Sequence, residues 1–334
     1  MMDALWVWIQ FVLSAGLIVF AATQLAKYGD IIGLRTGLGG MFIGVLLLAG
    51  ATSLPEVLTT ISSISENVPN IAAGNLLGSN LVNMVLLAVI DVMFRTRRIL
   101  RKAAMKHALS GSLAILLIGL VVFFMVARIE WRLGWMGVDS LLVIAAYIFA
   151  IRLIQGNQSG MESPGAELVL PEGTPSLAKA LFGFGLAGGA LVIVTPWMVR
   201  SSAQIAEITG LGTTFVGTTL VAIVTSLPEL VTTLAAVKLG AEDMAIGNLF
   251  GSNLFNMCAL GLADVFYTQG NFFLIIEPDF LLVGLLGLLM TSFGLIGNLA
   301  RLERRVLFIE LDALALLVLY IFGMWLLYNR GITP

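Results

Sequence analysis

Two short motifs each occur twice in this sequence, and both second copies lie 173 residues after the first. TSLPE begins at Thr52 and again at Thr225, while GNxxGSNxxN begins at Gly74 and again at Gly247. Over the 33 positions that start at each threonine, 17 residues are identical and no gap is needed. The chain is therefore expected to fold as two related halves.

The composition is typical of a membrane protein. Of 334 residues, 59% are hydrophobic and only 11% are charged, and the mean hydropathy is +1.00. These values predict an integral, multi-pass protein of the plasma or inner membrane. The net charge of −2 offers no basic surface for a nucleic acid. Cys258 and His107 are each the only residue of their type, which excludes an intramolecular disulfide and an HExxH zinc site.

Ten segments are apolar over the length of about 20 residues that a membrane-spanning helix needs. They lie near 5–27, 36–64, 70–94, 104–127, 135–154, 177–200, 209–237, 243–267, 279–299 and 306–328. We predict an all-α integral membrane fold with ten transmembrane helices. Its first five-helix repeat covers 1–154, an exposed cytoplasmic linker rich in Gly, Pro, Ser and Glu covers 155–176, and the second five-helix repeat covers 177–334.

The distribution of basic residues predicts the orientation. If both termini lie outside, 14 of the 18 basic residues face the cytoplasm, and the four outside are Arg128, Arg132, Arg200 and Arg330. Because each half has an odd number of helices, the second half is inverted relative to the first. Inverted repeats place a transport site near the middle of the bilayer, where the two halves meet.

TSLPE places a carboxylate at membrane depth, where ionisable groups are costly and usually mark an ion path. On a helix, Thr52 and Ser53 share a face with Glu56. Pro55 has no N–H to donate to the carbonyl of Ala51, so we expect a kink or an unwound turn with free carbonyls. The second copy has Thr225, Ser226 and Glu229, with carbonyls near Ala222 and Val224.

GNxxGSNxxN adds neutral ligands. Asn75, Ser79 and Asn83 lie on one helical face, and Gly74 with Gly78 forms a small stripe that permits close helix contact. The second copy has Asn248, Ser252, Asn256, Gly247 and Gly251. Oxygen ligands of this kind suit Na⁺, Ca²⁺, Mg²⁺ or Mn²⁺. Two carboxylates balance one divalent ion or more than one monovalent ion, as an exchanger requires.

Packing alone is a poor explanation for two matched glutamate segments with two matched GSNxxN segments. Other acidic residues lack this support. We expect Asp91 and Asp264, which also correspond under the offset of 173, to lie at helix ends, and we expect Asp139, Glu310 and Asp312 to be structural.

At these motifs the chain resembles the sodium/calcium exchanger family, within the cation/calcium antiporter superfamily. The resemblance implies a transporter and not an enzyme, in which Na⁺ entry drives Ca²⁺ extrusion across the lipid bilayer without a cofactor or an evident protein partner. It implies that Glu56 and Glu229 bind Ca²⁺ together with the carbonyls of Thr52 and Thr225. The implied Na⁺ ligands are Ser53, Ser79, Ser226, Ser252 and the carbonyls of Ala49 and Ala222, with Asn83 and Asn256 lining the centre.

The chain departs from the family pattern at several positions. Ala51 and Val224 replace the glycine that often precedes TSLPE. Asn256 stands where archaeal and potassium-dependent members often have Asp, which disfavours K⁺ cotransport. Proton-coupled members typically have GNxxEH where this chain has GSN, which favours Na⁺ over H⁺. The long cytoplasmic Ca²⁺-sensing insert of animal exchangers is absent.

Three other functions remain open on the sequence. An H⁺/Ca²⁺ antiporter, or an exchanger of another divalent cation, would use the same fold, since a buried carboxylate can carry a proton. A passive channel is disfavoured because channels usually build their pores from symmetric subunits or rings of charge. An intramembrane protease is disfavoured because the chain shows no aspartate dyad and has a single histidine.

Overall fold

The computed structural model describes residues 2–36, 50–94, 104–158, 174–300, 305–306 and 309–332. The helices are α1 (Met2–Thr36), α2 (Leu54–Ser65), α3 (Pro69–Met93), α4 (Ala104–Ala127), α5 (Val138–Gln158), α6 (Leu177–Thr209), α7 (Gly212–Val216), α8 (Ala222–Thr225), α9 (Leu227–Lys238), α10 (Glu242–Phe266), α11 (Phe272–Ile275), α12 (Phe280–Ala300) and α13 (Leu311–Ile332). A π-helical turn, Gly217–Val221, joins α7 to α8. Two antiparallel hairpins pair β1 (Arg132–Leu133) with β2 (Met136–Gly137), and β3 (Arg305–Val306) with β4 (Ile309–Glu310).

The predicted class, an all-α integral membrane protein, is confirmed. In the part of the chain that the structure describes, nine helical segments are long and apolar enough to cross a bilayer. The predicted second span, 36–64, includes residues 37–49, which lie outside the described residues, so the count of ten stays a prediction.

Several predicted helix ends were wrong. Helix α1 ends at Thr36 and α6 at Thr209, whereas the apolar segments end near 27 and 200. An apolar run stops where polar residues begin, but backbone hydrogen bonding continues beyond that point. For the same reason α5 continues to Gln158, into the predicted linker, of which residues 159–173 lie outside the described residues.

The offset of 173 holds for whole elements. Adding 173 to the bounds of α2 and α3 gives the bounds of α9 and α10, and adding it to the bounds of the first hairpin gives those of the second.

The two copies also make reciprocal contacts. Asp264, near the end of α10, accepts the backbone N–H groups of Gly137 (2.5 Å) and Phe272 (2.6 Å). Asp91, near the end of α3, lies beside Glu310 of the other hairpin and Asp312 at the start of α13, with carboxylate oxygens within 4.8 Å of one another. Each motif helix therefore ends against the other half, while the exact repeat boundaries stay predictions.

Two apolar cores surround the motif segments. The larger core packs α3 and α10 with α4, α5 and α12, and includes the fully buried Leu76 and Phe250. The smaller core packs α1 against α6, with Leu25 and Leu191 at its centre, and extends to Val224 next to TSLPE. Because α3 and α10 are buried on nearly all sides, their polar residues must find partners inside the protein.

Polar contacts between connections tie the halves together on the face predicted to be outside. Arg200 donates to Glu66 at 2.8 Å, and this hydrogen bond and charge hold the pKa of Glu66 below its ordinary value. Asn70, at the start of α3, donates to Glu277, ahead of α12, at 2.6 Å. Both pairs join residues more than a hundred positions apart.

The orientation can be tested with two matched leucines. Leu133 in β1 is 72% exposed and is predicted outside, and Leu239 after α9 is 84% exposed and is predicted inside. In a Cys258→Ser background, we expect a membrane-impermeant maleimide to label Leu133→Cys in intact cells and Leu239→Cys only after permeabilisation. The Cys258→Ser protein alone should stay unlabelled. The reverse pattern would show that the orientation is inverted.

Candidate cation site

Each TSLPE motif interrupts its helix at the serine. Ser226 (φ −86°, ψ 0°) separates α8 from α9, and Ser53 (φ −87°, ψ 6°) precedes α2 in the same conformation. The following proline lies in the first turn of the new helix, where a missing N–H is tolerated. Glu56 and Glu229 also lie in these first turns. The helix N-terminus favours a negative charge there.

Of the two expected interruptions, a kink or an unwound turn, the structure shows the narrower one. The Ser226 N–H still donates to the carbonyl of Ala222 at 3.1 Å, and the Thr225 hydroxyl lies 3.3 Å from the same oxygen. Helical bonding continues up to the serine, so the Ala222 carbonyl is not bare. Ala49, its counterpart, lies outside the described residues.

The carboxylate of Glu229 is held largely by the first half of the chain. The Ser53 hydroxyl lies 3.2 Å from Glu229 Oε1 and 3.2 Å from the hydroxyl of Ser252. The hydroxyls of Thr52 and Ser252 also face this carboxylate. Glu229 is 0% exposed, so these groups replace the water that a surface carboxylate would have.

The carboxylate of Glu56 has a corresponding environment. The hydroxyls of Thr225 and Ser79 face it, and their two oxygens are 3.4 Å apart. Asn75 links the two halves, because it donates to the backbone carbonyl of Glu56 at 3.0 Å and accepts from Thr225 at 2.8 Å. Glu56 is 1% exposed and close enough to Glu229 for the two charges to repel.

The two halves are not identical at this point. Asn248, the counterpart of Asn75, instead donates toward the hydroxyls of Thr232 and Thr233 in its own half, each at 3.2 Å. The asparagine of the first half thus joins the two repeats, whereas that of the second half joins α10 to α9.

The predicted glycine stripe on α3 is confirmed as a close-packing surface. A Cβ atom added to Gly74 would lie 2.8 Å from the backbone of Gly217, and one added to Gly78 would lie 2.5 Å from the carbonyl oxygen of Thr218. Both partners belong to the π-helical turn that precedes α8. Such turns are frequent at functional sites, and this one brings α8 and its TSLPE motif directly against α3.

Eleven of the twelve residues that the sequence selects are described, and each is at most 1% exposed. Five of their buried oxygens have no hydrogen-bond partner, and these are Glu56 Oε2, Glu229 Oε2, Ser226 Oγ, Asn83 Oδ1 and Asn256 Oδ1. Unpaired buried polar atoms are rare and costly. A cluster of carboxylate, hydroxyl and amide oxygens suits a hard cation as cargo.

Sequence reasoning missed Asn80 and Asn253, which bond two of the selected residues. Asn253 accepts from Asn83 at 2.9 Å, and Asn80 accepts from Asn256 at 3.1 Å, so each pair joins one half of the chain to the other. A signal for them was present, because each lies three positions before a selected asparagine and therefore on the same helical side.

A family model described as sodium/calcium exchanger protein matches residues 6–154 and 179–329. The chain belongs to the sodium/calcium exchanger family. Sodium/calcium exchanger MaX1 of Methanosarcina acetivorans is 29% identical over 293 residues, covering 77% of this chain and 82% of that protein. Inner membrane protein YrbG of Escherichia coli is 28% identical over 254 residues, covering 74% and 75%.

A solved structure of the H⁺/Ca²⁺ exchanger CAX shares the fold of this exchanger. The TM-score is 0.71, with 15% identity, over 98% of this chain and 85% of that one. The family, together with nine described helices that are long and apolar enough to cross a bilayer, defines a multi-pass membrane antiporter of the cation/calcium exchanger type.

The close contact at Gly78 yields a stability prediction. Gly78→Ala should lower the melting temperature in detergent, because overpacking against the Thr218 backbone costs about 1–3 kcal/mol. Gly185→Ala on α6 is the matched control, since a Cβ there meets no atom within 4 Å. Equal melting temperatures for the two variants would show that α3 is not closely packed on this turn.

Proposed function

We propose that this exchanger carries Na⁺ and Ca²⁺ in opposite directions through one alternately exposed site built on Glu56 and Glu229. The observation that carries the proposal is that the buried carboxylate of Glu229 accepts a hydrogen bond from Ser53 of the opposite half, while the Thr225 hydroxyl of the opposite half faces Glu56. A cation between the glutamates therefore contacts both halves at once. A movement of one half relative to the other would then change the side of the membrane from which the cation is accessible.

Charge explains why such a site exchanges ions. Two ionised glutamates without a cation would hold two negative charges in a medium of low dielectric constant, which is costly. One Ca²⁺ neutralises the two carboxylates, and so do two Na⁺ ions. The loaded protein can therefore change between its inward-facing and outward-facing states, whereas the unloaded protein cannot. With three Na⁺, the number that the family resemblance implies, the Na⁺-loaded site carries a net positive charge.

Na⁺ is favoured as the coupling ion by the neutral ligands. The hydroxyls of Ser53, Ser79, Ser226 and Ser252 offer neutral oxygens that can coordinate Na⁺, whereas a proton binds one carboxylate oxygen and would not need them. Asn256 adds no third charge to attract K⁺. The relative MaX1 is named as a sodium/calcium exchanger.

A second candidate is H⁺/Ca²⁺ exchange. Each glutamate keeps one oxygen without a hydrogen-bond partner, and a proton on that oxygen would also neutralise the carboxylate. The fold is shared with an H⁺/Ca²⁺ exchanger. The two candidates differ in whether a Na⁺ gradient or a pH gradient drives Ca²⁺. In both, the relationship to YrbG supports a location in the inner membrane.

Removing either charge should abolish Ca²⁺ transport. Glu56→Gln and Glu229→Gln are each expected to lower ⁴⁵Ca²⁺ flux in proteoliposomes by about 100-fold or more, as the loss of one partner from a buried charge site costs ~3–5 kcal/mol. Glu207→Gln, at an exposed position on α6, is the control and should transport normally. Flux close to wild type in either site variant, in folded protein, would contradict the proposal.

Coupling can be measured directly in Na⁺-loaded proteoliposomes. We expect Ca²⁺ uptake to need internal Na⁺, to be independent of K⁺, and to respond to voltage, because moving one charge costs about 2.3 kcal/mol per 100 mV. The potential is set with K⁺ and valinomycin, and a second ionophore separates K⁺ as clamp from K⁺ as substrate. Uptake driven by a pH gradient without Na⁺ would select H⁺/Ca²⁺ exchange, and uptake insensitive to voltage would reject the net charge movement.

A further inference from the structure

Four asparagines meet where α3 packs against α10. Asn80 and Asn83 come from α3, Asn253 and Asn256 from α10, and each is at most 1% exposed. They form two hydrogen bonds, from Asn83 to Asn253 at 2.9 Å and from Asn256 to Asn80 at 3.1 Å. The arrangement is reciprocal, since in each bond the donor is the last asparagine of one GNxxGSNxxN motif and the acceptor is the GSN asparagine of the other.

Each bond leaves a carbonyl oxygen without a partner on the donor residue. A primary amide has one acceptor oxygen and one nitrogen with two hydrogens. Asn83 and Asn256 use their nitrogens to bond Asn253 and Asn80, and their buried Oδ1 atoms have no hydrogen-bond partner. The Nδ2 atoms of Asn80 and Asn253 are also buried without a partner. An unpaired buried acceptor is destabilising, and contact with a cation would offset that cost.

The opposite orientation of these amides would be unsuitable for a cation. If Asn83 accepted from Asn253, its NH₂ group would take the place of the unpaired oxygen. An NH₂ group has a partial positive charge and offers no lone pair to a metal ion. With Asn253 as the acceptor, the amide of Asn83 is held with its Oδ1 available, and Asn80 holds the amide of Asn256 in the same way.

We propose that Asn80 and Asn253 are positioning residues, which orient the amide oxygens of Asn256 and Asn83 toward the transported cation and set the distance between them. This inference rests on the proposed function for the existence of that cation. Because each positioning residue belongs to the half opposite the one it orients, the two bonds also hold α3 and α10 at a fixed separation. A rigid ligand set with fixed spacing discriminates between cations by size.

The test is the relative affinity for Ca²⁺ and for the larger Sr²⁺, measured by equilibrium competition on purified protein without Na⁺. Asn253→Leu and Asn80→Leu withdraw the acceptor and should each change the Ca²⁺/Sr²⁺ affinity ratio by at least about threefold. Asn253→Asp keeps an acceptor oxygen for Asn83 and should retain the wild-type ratio. If a leucine variant does not fold, the alanine variant of the same residue replaces it, with the same expectation.

A purely structural role makes a different prediction. Gly261→Ala on α10 would place a Cβ 3.0 Å from the backbone oxygen of Ser140, away from the asparagines. It should lower the melting temperature and leave the ratio unchanged. A folded Asn253→Leu protein with the wild-type ratio, or an Asn253→Asp protein as altered as Asn253→Leu, would overturn the positioning role. Failure of the wild-type protein to bind Ca²⁺ would instead overturn the proposed function, and with it this inference.

Discussion

The structure depends on the burial of two glutamates from opposite halves of the chain at one place. Glu56 and Glu229 are excluded from solvent and repel one another. Ser53 of the opposite TSLPE motif donates to Glu229, and Thr225 of the other motif faces Glu56. The hydroxyls around each carboxylate come from both halves. The polar groups around the pair therefore join the two halves, and the proposed binding of a cation would give the five unpaired oxygens a partner.

The backbone around the pair is shaped to bring these groups together. Breaking each helix at Ser53 or Ser226 begins a new helix whose first turn carries the glutamate. Glycines on α3 allow the π-helical turn before α8 to approach closely, so that Thr225 reaches Asn75. Asn75 and Asn248 then show that one pattern of residues supports two different hydrogen-bonding arrangements. Two arrangements of equivalent elements are what an inverted-repeat transporter needs in order to face each side in turn.

Much of this was predictable from the repeat. An offset of 173 that holds without a gap over both motifs also relates the helix bounds and the hairpins, because a duplicated sequence has a duplicated pattern of local preferences. The acidic centre followed from the cost of a carboxylate at membrane depth. The hydrogen bonds to Asn80 and Asn253 could not be predicted from the sequence. The helical pattern indicates which residues share a side of one helix, but not which residues of α3 lie opposite which residues of α10. That each helix is interrupted at a single serine could not be predicted either, because a proline shows which hydrogen-bond donor is lost and not how far the helix unwinds.

The central claim, that one Ca²⁺ and the competing Na⁺ ions share the site between the two glutamates, is tested most directly by equilibrium binding. Calorimetric titration of the purified wild-type protein with Ca²⁺, repeated at increasing Na⁺, should give one Ca²⁺ per chain and an apparent affinity that falls steeply as Na⁺ rises. A Ca²⁺ affinity that does not change with Na⁺, or a stoichiometry of two Ca²⁺ per chain, would contradict a single shared site.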